Sequence, residues 1–194
     1  MPEVNSQNEE MYRQLFKRFN PFMLLMWRLG LGKWVNCLPR WGGRIMVISH
    51  HGRRSGMRRY TPVNYALIEG ELYCTAGFGN VADWYRNIMA DPEVEVWLPD
   101  EWWTARVKDI SESPYRIPIM RQVLINSGFA APLMGLHPGR MDDETLAAET
   151  SEYRLLHLKR IQPQTGKGGP GDLAWVWQAA TVCLLFLLIR RRRR

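Results

Sequence analysis

A chain of 194 residues matches one domain with extra terminal segments, since domains usually hold about 100 to 200 residues, so a second full domain is nearly excluded. With 46% hydrophobic and 23% charged residues the composition is globular, which excludes disorder for most of the chain. The formal net charge of +7 owes five units to Arg190, Arg191, Arg192, Arg193 and Arg194; the +2 left on the body is too small for a protein that tracks nucleic acid, and favours a small anion or a membrane surface.

The first eight residues are polar, and no signal peptide is expected. From Glu9 to Trp34 apolar residues (Met11, Leu15, Phe16, Phe19, Phe22, Met23, Met26, Trp27) interleave with Arg13, Lys17, Arg18 and Arg28, and Pro21 interrupts them. Two short amphipathic helices are predicted, suited either to capping their own domain's core or to a membrane interface. The period then changes to that of strands over Ile45–Ser49, Tyr60–Ile68 and Leu72–Thr75, with Glu69-Gly70 as a hairpin turn. A helix is predicted over Asp83–Ala90, N-capped by Asp83 and stopped by Asp91-Pro92, before strands Glu93–Leu98 and Trp102–Ile110. A further helix from Ser113-Pro114 to Asn126 ends at Gly128, a Gly- and Pro-rich loop follows, and Asp142 caps another turn or two of helix. Tyr153–Ile161 gives a sixth strand. Six mostly antiparallel strands with peripheral helices predict a mainly β (α+β) domain, built as a small barrel or a strongly curled sheet.

Four regions are expected: an N-terminal amphipathic segment (1–39), the barrel (40–162), a Gly/Pro linker (163–171), and a hydrophobic segment with an arginine tail (172–194). Leu173–Ile189 holds 17 uncharged residues, about 25 Å as helix against a hydrocarbon core of roughly 30 Å. It could span only with snorkelling ends; the alternatives are to lie in the leaflet, where arginines attract anionic lipid, or to pack Asp172–Trp177 on the barrel. Cys37, Cys74 and Cys183 are odd in number and show no metal-ligand spacing, so no metal is expected and a reducing, cytoplasmic setting is the default, peripheral at the inner face of the membrane.

The chemistry concentrates in His51-Gly52-Arg53-Arg54-Ser55-Gly56-Met57-Arg58-Arg59, where four arginines and a serine share one turn between strands. Glycines let backbone N–H groups face a ligand and guanidiniums offer forks to phosphate or carboxylate oxygens; a solvated hairpin tip is the other reading. His50 and His51 lie on opposite faces of a strand, so they do not jointly chelate one metal easily.

The element Gly52-Arg53-Arg54-Ser55-Gly56-x-x-Arg59 followed by Thr61-Pro62, and a second run from Ala76-Gly77-Phe78-Gly79 through Asp83-Trp84-Tyr85-x-Asn87 to Ala90-Asp91-Pro92-x-Val94, resemble the deazaflavin-dependent nitroreductase and quinone reductase family over residues 40–162. Arg54 stands where that family's motif carries lysine. The resemblance implies an FMN-binding-like, PNP-oxidase-like split β-barrel that transfers a hydride from reduced coenzyme F420 to a small, lipophilic acceptor of the quinone or nitro class. By resemblance Arg53, Arg54, Ser55, Gly56, Arg58, Arg59, Thr61 and Pro62 meet the cofactor's anionic part, and Ala76, Gly77, Phe78 and Gly79 approach the ring or lower tail. Trp84, Tyr85 and Asn87 are secondary candidates, equally suited to core packing. Ala76 sits where some quinone-reducing relatives carry a serine, which removes one hydroxyl donor. No catalytic residue is assigned, because the cofactor carries its own hydride. FMN is the alternative cofactor, a non-catalytic deazaflavin carrier the alternative function, and a homodimer is compatible with the family.

Overall fold

The computed structural model describes residues 3–37 and 42–192. The expected boundary at 39/40 and the last two arginines lie outside the described residues, as do the side chains of Arg13, Leu15, Phe16 and Lys17. Chain contacts define two compact units: Lys33–Thr165, and the residues up to Gly32 together with those from Gly166 onward.

The larger unit is a closed barrel of six antiparallel strands, β1 (Ile45–His51), β2 (Arg58–Ile68), β3 (Glu71–Ala76), β4 (Glu93–Trp97), β5 (Trp102–Asp109) and β6 (Arg154–Pro163), in the order β1-β2-β3-β6-β5-β4. Alternation along each strand sends one set of side chains inward. Met46 and Ile48 of β1, Leu72, Cys74 and Ala76 of β3, Val94 and Val96 of β4, and Leu156 and Leu158 of β6 form the barrel interior. Outward residues of opposite parity, Ala66 and Leu155, join a second core with Met120, Val123, Leu124, Ala131, Leu136 and Leu146. These come from α4 (Arg116–Ile125), α5 (Ala130–Leu133), α6 (Asp143–Glu149) and the segment between α5 and α6. Each fully buried leucine contributes about 1.5–3 kcal/mol, so both faces of β2, β3 and β6 are held in register by burial.

Local chemistry explains most element ends. Glu69 (φ 52°) and Gly70 (φ 83°) both adopt the left-handed region that a two-residue hairpin loop demands. Asp142 caps α6 by accepting the Thr145 N–H at 2.7 Å. Helix α3 covers Asp83–Ala90 as predicted, but its N-cap is Ala82 and the Asp83 carboxylate caps nothing. Asp83 is drawn instead to Arg53 on the neighbouring turn. The loop after Gly128 is not wholly irregular: α5 includes Pro132, which sits in a first turn where no N–H is needed.

In the smaller unit, α1 (Glu3–Arg28) runs unbroken through Pro21, in place of the two helices expected. The proline costs one hydrogen bond, about 3 kcal/mol with its steric clash, but Phe19, Phe22, Met23, Met26 and Trp27 keep the three-and-four spacing of one helix across it. Arg28 at its end pairs with Asp172, Nη2 to Oδ2 at 2.8 Å, and the Leu29 carbonyl accepts the Trp177 indole N–H at 2.9 Å. A short helix, α2 (Gly32–Val35), falls at the chain position where the first unit gives way to the second. Helix α7 (Trp175–Arg192) has no buried residue. Its apolar part runs only from Trp175 to Ile189, about 22 Å, and no helix among the described residues is long and apolar enough to cross a membrane. The spanning alternative for the tail therefore fails on length and on the arginines inside the helix.

Candidate functional site

The arginine turn joins β1 to β2 and is closed by its own backbone: Gly52 N–H donates to the Met57 carbonyl at 2.9 Å, and Gly56 N–H to the Gly52 carbonyl at 2.7 Å. Gly56 sits at φ 63°, open to solvent, where only glycine is unstrained. Strand register then divides the four guanidiniums between distinct tasks.

Arg53 reaches across to α3. Its backbone N–H and Nη1 both donate to the buried Asn87 Oδ1, at 3.2 and 2.9 Å, and Nη2 pairs with Asp83 Oδ1 at 3.0 Å. That hydrogen bond holds the Asp83 carboxyl below its ordinary value. Arg58 lies on the outer face of β2. There Nε donates to Ser49 Oγ at 2.7 Å, Nη2 pairs with Glu95 of β4, and the guanidinium stacks over Tyr60. Both arginines are committed to the protein.

Arg54 and Arg59 are not. Neither side chain has a hydrogen-bond or ion-pair partner among the described residues, and both are exposed. Arg59 stands opposite His50 on the inward-directed face of the hairpin. A Cβ added to Gly52 would lie 2.7 Å from Ser55 Oγ and 2.9 Å from Arg59 Nε, so these two polar groups converge over the bare α-carbon of the turn's first glycine. Ser55 Oγ accepts the Met57 N–H at 3.4 Å, which leaves its own proton to donate. The result is a small cradle of donors, with the exposed Arg54 as a second cation on the same turn, suited to a phosphate or carboxylate oxygen.

The second motif is brought to the first through Arg53. Gly77-Phe78-Gly79 leaves β3 and passes through one 3-10 turn, Gly79–Val81, into α3. Gly77 faces Tyr153 and Met134 at ordinary contact distance, while Gly79, at φ 53°, would place a Cβ 2.2 Å from the Glu152 carbonyl oxygen. Phe78 and Trp84 pack partly buried against the barrel interior, and the Ala76 methyl is inside it. Thr61 Oγ1 lies 3.1 Å from His50 Nε2, and Pro62 pairs with Val47 in the β1–β2 ladder.

Tyr85 is buried in the barrel core, and its hydroxyl donates to Asp109 Oδ2 at 2.5 Å. Burial, then the Asp109 hydrogen bond, push the phenol up to about 12. Burial also raises Asp109, but the bonds from Ser111 and Tyr85 and the charge of Arg154 outweigh it and leave that carboxyl below its ordinary value. The tyrosine contribution to stability is fully present below its unfolded pKa near 10 and is lost as pH rises through about 12; the aspartate contribution is present above its unfolded value near 4 and is lost on further acidification. Tyr85→Phe should therefore cost about 1.5–3 kcal/mol at neutral pH and flatten the alkaline fall in melting temperature between about pH 10 and 12. An unchanged alkaline profile would show that another group carries it.

Ser49, Glu95 and Asp109, which hold Arg58 and Tyr85, carry no motif signature. Only strand parity, Ser49 and Glu95 on the outward face with Arg58, could have flagged the first two. Among the described residues no group of three or more His, Cys, Asp or Glu side chains could hold a metal ion.

The closed six-stranded antiparallel barrel with peripheral helices is a split β-barrel. The family model for F420H(2)-dependent quinone reductase matches residues 28–131, and the chain belongs to that family. Membership implies coenzyme F420 as the cofactor, and the donors that Ser55 and Arg59 bring together over Gly52 fit its phosphate and carboxylate groups.

No curated protein matches the chain in sequence. Among solved structures it is similar to Rv2991, a conserved hypothetical protein of Mycobacterium tuberculosis, at 15% identity over 72% of this chain and 90% of that one, with a TM-score of 0.47. It is also similar to Atu2129 of Agrobacterium tumefaciens, of unknown function, at 19% identity and TM-score 0.46; the match covers 68% of this chain but only 55% of that one. A third, titled an F420-H2 dependent reductase (FDR-A), is 18% identical over 60% of this chain and 94% of that one, TM-score 0.42. At these identities and scores the likenesses carry no argument about activity.

Proposed function

We propose that this protein transfers a hydride from reduced coenzyme F420 to a small lipophilic acceptor of the quinone or nitro class, working at the cytoplasmic face of a membrane. The observation that carries the reading is the convergence of Ser55 Oγ and Arg59 Nε over Gly52, on a turn that also exposes Arg54. Coenzyme F420, when bound, supplies the hydride. The chain's own part is to bind, orient and shield. Arg54, Ser55 and Arg59 hold the anionic tail; Arg53, tied to Asn87 and Asp83, fixes the turn against α3. The Gly77-Phe78-Gly79 segment, which leads through the 3-10 turn into α3, offers a backbone surface for the ring end. Steady oxidation of reduced coenzyme F420 that depends on added quinone or nitro acceptor tests the activity. Tight binding without acceptor-dependent oxidation would leave a carrier in place of an enzyme.

Helix α7 supports the membrane part of the reading. Leu184, Leu185, Phe186, Leu187, Leu188 and Ile189 are all more than half exposed, and Arg190, Arg191 and Arg192 follow in the same helix. A 15-residue apolar stretch ending in cations suits insertion into the interfacial layer of an anionic leaflet, with about 1 kcal/mol of attraction per arginine. Removing Leu173–Arg194 should release the protein from anionic vesicles in sedimentation while preserving activity toward a soluble acceptor. Undiminished sedimentation would move the anchor to α1, whose Phe19, Phe22 and Leu25 are exposed.

A further inference from the structure

His50 is 2% exposed, inside the hairpin that carries the anion cradle. It stands directly opposite Arg59 in the β1–β2 register, so the two side chains leave the ladder on the same face with Cβ atoms about 5 Å apart. Gly52 follows His50 by two residues, which puts its open α-carbon, covered by Ser55 Oγ and Arg59 Nε, on that face as well. The ring is fixed at one end, with Nε2 3.1 Å from Thr61 Oγ1. At the other end Nδ1 is buried and has no hydrogen-bond partner. More than nine in ten buried polar groups in native proteins are paired, so an orphaned ring nitrogen beside a donor cradle points to a partner that arrives with the ligand.

We propose that His50 completes the anion site: Thr61 orients the imidazole, and Nδ1 donates a hydrogen bond to the oxyanion that Arg59 and Ser55 hold. The inference rests on the anion-binding reading of the turn and adds to it a proton. Burial foremost holds the free ring below its ordinary value, against an opposing pull from the His51 backbone, with the charges of Arg59 and His51 adding smaller lowering effects. The free site therefore has a neutral imidazole at pH 7. His51 itself faces the opposite side, 3.6 Å from Asp91, and the inward residues of the adjoining strand β4, Val94 and Val96, bring no charge. An oxyanion placed against Arg59 offsets that cation and favours the protonated ring, so binding takes up a proton from buffer and strengthens as pH falls.

Calorimetric titration with coenzyme F420 in buffers of differing ionisation enthalpy reads both effects. Between about pH 7.5 and 5.5 the wild type should gain roughly 3- to 10-fold in affinity with uptake of up to one proton. His50→Gln should bind without that gain, and His51→Gln should keep it. A His50→Gln protein with the wild-type pH dependence would overturn the proposal. The wild type alone gives a second reading, through the ¹⁵N chemical shift of the His50 Nδ1. It should move on addition of inorganic phosphate or of a short oligoglutamate, and whichever probe moves it names the phosphate or the carboxylate as the natural group. No movement with either probe overturns the proposal. Movement with a probe but no binding of coenzyme F420 would sustain the His50 site while removing the cofactor reading.

Discussion

Arg59→Ala should weaken coenzyme F420 binding by about 10- to 100-fold while leaving the melting temperature within a degree or two of the wild type. A charge-assisted hydrogen bond contributes about 1.5–3 kcal/mol, and Arg59 makes no side-chain bond among the described residues whose loss would destabilise the barrel. Arg54→Ala should act in the same direction, and the double variant should also show a shallower dependence of affinity on salt, since two exposed cations have left the site. Arg53→Ala and Arg58→Ala should behave differently. Each breaks bonds that fix the fold, to Asn87 and Asp83 in one case and to Ser49 and Glu95 in the other, so any loss of affinity should come with a fall in melting temperature. If all four variants lost affinity equally at unchanged stability, the division of labour among the arginines would be wrong.

Gly79→Ala should be the most damaging single methyl in the barrel. The residue holds φ at 53°, where a side chain costs about 1–2 kcal/mol, and the new Cβ would sit 2.2 Å from the Glu152 carbonyl oxygen. That neighbour is backbone, two residues before β6 begins, so relief requires shifting the start of a strand paired to both β3 and β5. A loss of about 3 kcal/mol or more is expected, a fall of roughly 10 °C for a domain of this size. Gly56→Ala is the matched control. Its φ of 63° carries a similar strain, but nothing lies within 4 Å of the added carbon, so only the conformational cost should appear. Equal losses in the two variants would mean that the close approach of Gly79 to Glu152 contributes nothing.

The barrel was readable from the sequence because its signals are local. Short runs rich in β-branched and aromatic residues mark the strands, and Glu69-Gly70 needs no distant partner to make a hairpin loop. The Asp142 cap is equally local, resting on an N–H three residues away. Asp83 illustrates where such reasoning stops. As an acidic residue at a helix start it reads as an N-cap, but its carboxylate answers to Arg53, thirty positions earlier in the chain. Pro21 reads as a break by the same local logic, whereas continuous helical periodicity carries the helix across it, and the Pro-rich stretch after Gly128 holds a short helix in which the missing N–H of Pro132 has no consequence.

In the site, the family motif located the turn but not the tasks of its arginines. Arg58 and Arg59 are neighbours of identical chemistry, and only the pairing of His51 with Arg58 and of His50 with Arg59 sends one outward to Glu95 and the other toward Gly52. The same register turns His50 from a bystander into an unsatisfied group on the ligand side. Tyr85 and Asn87, motif residues of the second element, are occupied by Asp109 and Arg53, partners far from them in sequence. Composition and spacing hold no record of such pairings.

The central claim is that the Gly52, Ser55, Arg54 and Arg59 cradle serves a deazaflavin. Titration of the purified protein with coenzyme F420 and, separately, with FMN, each followed by intrinsic tryptophan quenching, tests it most directly. Micromolar or tighter binding of coenzyme F420, with FMN bound far more weakly, is the predicted result; binding of FMN alone, or of neither, would contradict it.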